Sequence, residues 1–179
     1  MRKRNKDSKG FGEIKMVEAM EYSCNKKELY EEVELQLKGL FEDCPHVVAN
    51  LANASAVLNQ AMKDINWVGF YVMEEGQLVL GPFQGKAACV EIKVGKGVCG
   101  TAVAEDATQL VKDVHAFPGH IACDCASNSE IVVPIHVNGN VWGVLDIDSP
   151  LLGRFDEEDK DGLEKVVGVV EAMLEEYSK

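Results

Sequence analysis

Four of the six cysteines fall within 37 positions, at Cys89, Cys99, Cys123 and Cys125. Cys24 and Cys44 lie apart. Cys99 sits in Gly97-Val98-Cys99-Gly100, where backbone without side chains lets other groups approach closely. Cys123 and Cys125 lie beside His115, His120 and Asp124 in a stretch rich in turn residues. Three readings fit these residue types. The first is a set of small, semi-buried apolar thiols. The second is a zinc site with His120, Cys123 and Cys125, although the spacing H-x2-C-x-C is tight and no paired C-x2-C stands elsewhere. The third is thiol redox chemistry, in which one activated cysteine is oxidised and a second thiol resolves it. Local composition leaves all three open.

Carboxylates and aromatics add to the pattern. Asp146 and Asp148 are two apart in Gly143-Val-Leu-Asp-Ile-Asp-Ser149, so on a strand both face one side, with Leu145 and Ile147 on the other. Like charges so close repel unless a cation sits between them. The spacing therefore fits either a solvated strand face or a pocket for a metal or an ammonium group. Glu130 opens the neighbouring apolar run and offers a third carboxylate. Trp67 and Tyr71, four apart, are either core or the apolar wall of a small-ligand pocket.

The elements that must hold these residues are legible from periodicity. Residues 1–10 carry a net charge of +4, against −16 for the rest, and read as a solvated tail. Asn25-Lys-Lys-Glu28 reads as a capping box, with Glu28 reaching back to the cap. Leu29, Val33, Leu37, Leu40 and Phe41 then recur at helical spacing. Cys44-Pro45 ends that helix, and Pro45 opens a second with Val48, Leu51, Ser55, Leu58 and Met62 on one face. Trp67–Met73 and Leu78–Gly81 flank Glu74-Glu75-Gly76-Gln77 and predict a hairpin. Ala87–Val94 predicts a third strand, Gly97–Glu105 a short helix and Leu110–Val111 an edge strand. Residues 112–128 form a long loop, and loops of this length in compact domains are commonly functional. Ile131–Val137 and Val141–Ile147 flank Asn138-Gly139-Asn140, a hairpin signal. Asp156 caps a last helix that buries Leu163, Val166, Val167, Val170, Met173 and Leu174. The order implies an α+β domain, with a central antiparallel sheet flanked by N- and C-terminal helices. Residues 1–24 are expected to be an extension and 25–179 one domain.

Whole-chain arithmetic narrows the function classes. The 179 residues carry 18 basic and 30 acidic side chains, a net charge of −12. That balance argues against binding to nucleic acid or an anionic membrane, where phosphate neutralisation drives affinity. No stretch approaches the roughly 18 apolar residues of a membrane span. No apolar signal-peptide core follows the N-terminus, and six cysteines are too few for a disulfide scaffold. A reducing, cytoplasmic setting is therefore expected.

Taken together, Asn66-Trp-Val-Gly-Phe-Tyr71, Gly81-Pro-Phe-Gln-Gly-Lys-Ala-Ala-Cys89, Gly97-Val-Cys-Gly-Thr-Ala102, Gly119-His-Ile-Ala-Cys-Asp124, Ser127-Asn-Ser-Glu-Ile131 and Gly143-Val-Leu-Asp-Ile-Asp-Ser149 form an ordered set. That set resembles the free methionine-(R)-sulfoxide reductases, single-domain proteins of the GAF fold, from about residue 28 to 175. The resemblance implies a GAF-like fold whose pocket is closed by the long loop. The implied substrate is free methionine (R)-sulfoxide. Cys123 matches the catalytic cysteine, Cys89 the principal resolving cysteine and Cys99 a third redox-active one. Trp67, Tyr71, Glu130, Asp146 and Asp148 match positions lining the substrate pocket. The resemblance also implies recycling by thioredoxin, a homodimer, and no metal or organic cofactor. Cys125 departs from the family's common pattern. The competing class is a GAF sensor that binds a small ligand without chemistry.

Overall fold

In a computed structural model of the chain, residues 22–23, 25–119 and 126–177 are described. Cys24, His120, Cys123, Asp124 and Cys125 lie outside the described residues. Asn25 caps helix α1 (Lys26–Phe41) by accepting from the Glu28 amide at 3.2 Å. The capping box is completed differently from expectation. The Asn25 amide donates to Ser23 Oγ, and that hydroxyl donates to Glu28, so a serine is interposed where a direct Glu28 contact was predicted. Helix α2 (Val47–Ala61) begins two residues after Pro45, with His46 as its cap. It buries Leu51, Ser55 and Leu58 as the periodicity predicts, but Val48 is exposed and Val47 packs on the core instead.

Among the described residues the sheet has six strands in the order β3-β2-β1-β6-β5-β4, with every neighbouring pair antiparallel. The expected β1–β2 hairpin (Trp67–Glu74, Gln77–Gly85) turns at Glu75 and Gly76, both with positive φ, and its second arm runs four residues beyond Gly81. The predicted strand over Ala87–Val94 shrinks to β3 (Glu91–Lys93). The reason is tertiary. The Lys86 carbonyl accepts from Trp67 Nε1 at 3.1 Å and the Cys89 carbonyl from Tyr71 Oη at 2.9 Å, so ring donors from β1 occupy backbone acceptors that a ladder would need. Helix α3 (Gly97–Glu105) matches its predicted limits, and β4 is Gln109–Val111. The long loop is not wholly irregular: Val114–Ala116 form a 3-10 turn, with the Asp113 side chain accepting from the His115 amide. Strands β5 (Ser129–Val137) and β6 (Asn140–Ser149) turn through Asn138 and Gly139 at φ 53° and 76°. Asp156 caps helix α4 (Glu157–Tyr177) by accepting from the Glu158 and Asp159 amides.

Strand alternation divides the interior into two cores. Val68, Phe70, Ile131, Val133, Ile135, Leu145 and Ile147 face α1, α2 and α4, forming the larger core. Trp67, Tyr71, Val132 and Val144 face the opposite way, onto α3 with its Val98, Cys99 and Ala102. The α+β architecture with helices from both chain ends against one sheet face is the one expected. The second face is less apolar, and there the chemistry-bearing residues collect.

Candidate active site

The site is built on β1, β6 and β5, adjacent in the sheet, with α3 above them. In register, Asp148 stands between Trp67 on one side and Glu130 on the other. Asp146 stands between Gly69 and Val132. The i, i+2 reading of Asp146 and Asp148 is therefore correct in geometry, and Glu130 joins the same face. Gly69 is required there. A Cβ on it would fall 2.3 Å from Phe83 Cβ and 2.7 Å from a Trp67 ring carbon, closer than any real contact. Its absence lets Phe83 stack on Trp67 at 5.3 Å between ring centroids, while Trp67 stacks on Tyr71 at 5.9 Å. Trp67 and Tyr71 are buried, so they form an aromatic wall rather than an exposed platform. Phe83 extends that wall, and sequence reasoning missed it. Its signal was an aromatic paired across a hairpin with a glycine.

Cys99 enters from the first turn of α3. A Cβ at Gly100 would meet the Lys93 carbonyl oxygen at 2.3 Å, so only glycine allows α3 to sit this close to the chain leaving β3. Cys99 is buried, and its Sγ lies 3.9 Å from Glu130 Oε1. One ligand-type atom each from Cys99, Glu130 and Asp146 lies within 4.8 Å of the others. Among the described residues, Asp146 Oδ1 is buried and has no hydrogen-bond partner.

Burial of three acidic groups together sets their protonation. Desolvation, then Asp146 and Asp148, pushes the Glu130 carboxyl far above the ordinary carboxylate range. Desolvation raises Asp146 to about 6, while hydrogen bonds with Cys99 and Glu130 pull it back. Near neutral pH, Glu130 thus keeps its proton beside an ionised Asp146. Burial, Asp146 and Glu130 push the Cys99 thiol well up, so it rests as a thiol. Burial and Asp146 also raise the Tyr71 phenol, which stays protonated and donates to the Cys89 carbonyl. The arrangement offers a proton donor, an anion ready for a cationic group and an apolar wall.

Of the sequence-predicted site residues, the structure brings together Trp67, Tyr71, Cys99, Glu130, Asp146 and Asp148. Cys89 is half-buried on the loop after β2, joined to this wall through Tyr71, and is disulfide-bonded. Its partner is neither Cys44 nor Cys99, both of which are free. Cys123, expected as the nucleophile, lies outside the described residues. Nearby, Ser127 Oγ accepts from Asn66 Nδ2 at 3.1 Å, and the Asn128 carbonyl accepts from the Val114 amide. Among the described residues no helix is long and apolar enough to cross a membrane.

Comparisons with known proteins bear on the fold and the family. A family model described as GAF domain matches residues 53–175. The free methionine-R-sulfoxide reductase of Escherichia coli is 53% identical over 150 residues, covering 84% of this chain and 91% of that protein. That of Saccharomyces cerevisiae is 50% identical, covering 82% of this chain and 86% of that protein. The crystal structure of the Neisseria meningitidis enzyme in complex with its substrate superimposes with a TM-score of 0.86 at 44% identity. It covers 90% of this chain and 98% of that one.

Proposed function

We propose that the chain, which belongs to the free methionine-(R)-sulfoxide reductase family of GAF-domain proteins, reduces free L-methionine (R)-S-oxide to L-methionine. One observation carries the reading: a buried acidic cluster, with an unpartnered Asp146 oxygen, lies against an aromatic wall. A free amino acid brings the α-ammonium that such a cluster lacks, and a peptide-bound methionine does not. Leaving buried carboxylates unpaired costs several kcal/mol, enough for strong discrimination. Trp67 and Tyr71 hold the S-methyl end and restrict the epimer.

The chemistry follows from the protonation pattern. The Cys123 thiolate attacks the sulfoxide sulfur while the S–O bond breaks, and the oxygen, protonated from Glu130, passes to Cys123 as a sulfenic acid. Methionine leaves with the electron pair that reduces its sulfur. Asp146, ionised, binds the ammonium together with Asp148 beside it. The Cys89 thiol then attacks the sulfenic acid, expelling water and forming a disulfide. The disulfide-bonded state of Cys89 supports its resolving role. Cys99 is a slower exchange partner, because burial beside two carboxyl groups keeps its thiol protonated. An external dithiol, thioredoxin by family resemblance, returns both thiols, and the same resemblance supports a homodimer. The sum is sulfoxide plus dithiol giving sulfide, disulfide and water, with no metal or organic cofactor taking part.

The test is chiral amino-acid analysis of racemic free methionine sulfoxide incubated with reduced protein and a dithiol. Loss of the R epimer alone, absent in Cys123→Ser, is the expected result. Loss of neither epimer from a protein that still binds the amino acid overturns the reductase reading in favour of a sensor.

A further inference from the structure

Cys99 has little to do in the sequence of steps above, yet it completes a cluster with unusual donor chemistry. We propose that Cys99, Glu130 and Asp146 form a binding site for a thiophilic divalent cation of the zinc class. Three features on this side of the sheet support it. All three side chains are buried, and one donor atom from each lies within 4.8 Å of the others. Asp146 Oδ1, on a residue only 6% exposed, has no partner among the described residues. Cys99 is a free thiol while Cys89 is held in a disulfide, so the cluster is intact in the oxidised form of the protein.

The geometry is close to what zinc requires. With Zn–S about 2.3 Å, Zn–O about 2.0 Å and tetrahedral angles, sulfur and oxygen ligands lie about 3.5 Å apart. The Cys99 Sγ to Glu130 Oε1 distance is 3.9 Å, so that pair needs a closure of a few tenths of an ångström, and the other separations, within 4.8 Å, need one of up to about an ångström. Three protein ligands leave a fourth position for water. The sulfur sets selectivity: magnesium and calcium take all-oxygen sites, whereas thiolate favours zinc and its softer relatives. Binding displaces the proton of the Cys99 thiol and that of Glu130, so affinity rises with pH. The cation takes the place assigned above to the substrate ammonium. That competitive consequence rests on the proposed function, whereas metal binding itself does not.

The experiment is a calorimetric titration of the full chain, in its disulfide form, with zinc chloride and separately with magnesium chloride. A Cys44→Ser background removes the other free thiol among the described residues. The expected result is one zinc site and no magnesium site. Affinity falls at least about tenfold in Cys99→Ser and again in Asp146→Asn. Cobalt(II) loading gives a thiolate charge-transfer absorption that disappears in Cys99→Ser and persists, more weakly bound, in Asp146→Asn. Unchanged titrations in Cys99→Ser, or no zinc site in the parent, overturn the proposal. Binding needs no turnover, so a protein that binds zinc through Cys99 yet reduces no sulfoxide upholds this site and sinks the reductase reading. With active protein, a rise in the KM for sulfoxide on adding zinc, reversed by a chelator, is expected. Zinc bound through Cys99 with KM unchanged overturns the shared pocket.

Discussion

Asp146 combines two requirements that pull in opposite directions. Burial raises its carboxyl to about 6, and the proposed role needs it ionised. Substrate affinity is therefore expected to fall on acidification. KM for free methionine sulfoxide should rise by up to roughly tenfold per pH unit below about 6, the apparent value belonging to the Glu130–Asp146 pair. In Asp146→Asn, KM is high and flat across the same range. Stability moves the other way. A carboxyl whose folded value lies above the ordinary 3.8 contributes stability that is fully present below 3.8 and lost as pH rises through about 6. The ligand-free protein thus gains from this group on acidification while it loses its ligand. Steady-state kinetics at about pH 7 and about pH 5 check the claim, and a wild-type KM that does not move removes Asp146 from ammonium binding.

At the scale of elements, the sheet gains a tie from a residue outside the site. His136 on β5 faces Asp106 at the C-cap of α3 through Nε2 at 2.7 Å and Glu171 on α4 through Nδ1 at 3.0 Å. Donating from both ring nitrogens requires the imidazolium. The hydrogen bond to Asp106, opposed by burial and aided by Glu171, raises the His136 value above 6.5. A cationic group so raised contributes stability fully present below 6.5 and lost as pH climbs through the higher folded value. His136→Gln should therefore lower the urea midpoint below about pH 6.5, by under about 1 kcal/mol for a half-exposed contact, with the difference vanishing under alkaline conditions. A constant difference at all pH values means packing, not charge. This tie was illegible in the sequence because its partners lie 30 and 35 residues away. Local signals fared well where the cause is local. Asn138-Gly139 marks its hairpin, Asp156 caps its helix, and the period-2 spacing placed Asp146 and Asp148 on one face. They failed where the cause is tertiary. The Ala87–Val94 strand shrank because Trp67 and Tyr71 draw off its neighbouring carbonyls, and Val48 turned outward because Val47 packs on the core. The meeting of Cys99 with Glu130 and Asp146 depends on α3 crossing over β5 and β6, which no spacing encodes.

Across the whole molecule, the division of labour follows the two sheet faces. The helix-covered face holds the larger apolar core, and the α3 face carries buried acids whose desolvation opposes folding. Stability should therefore depend heavily on α1 and its junction with α4. At that junction Asp159, buried, accepts from Tyr30 Oη at 2.8 Å and from Lys26 Nζ at 2.7 Å, with Arg154 alongside. Burying one charge against two cations and a hydroxyl keeps it paired, so α1 is fastened at its first turn to the start of α4. The contacts that lead into α1 tie two residues ahead of residue 25 to the helix. Tyr22 Oη donates to Gln36, the Ser23 amide to Glu32, and Ser23 Oγ links the Asn25 amide to Glu28. We propose that the domain includes Tyr22 and Ser23, ahead of the expected boundary at residue 25. Removing residues 1–21 should leave the urea midpoint and the turnover of sulfoxide unchanged. Removing residues 1–24 strips the Ser23 link from the cap and should cost about 1 kcal/mol, the typical worth of a helix cap. Equilibrium unfolding of the three lengths decides it. A loss of that size from the shorter deletion places part of the basic N-terminal stretch inside the folding unit, and no loss from the longer one shows that Asn25 alone caps α1.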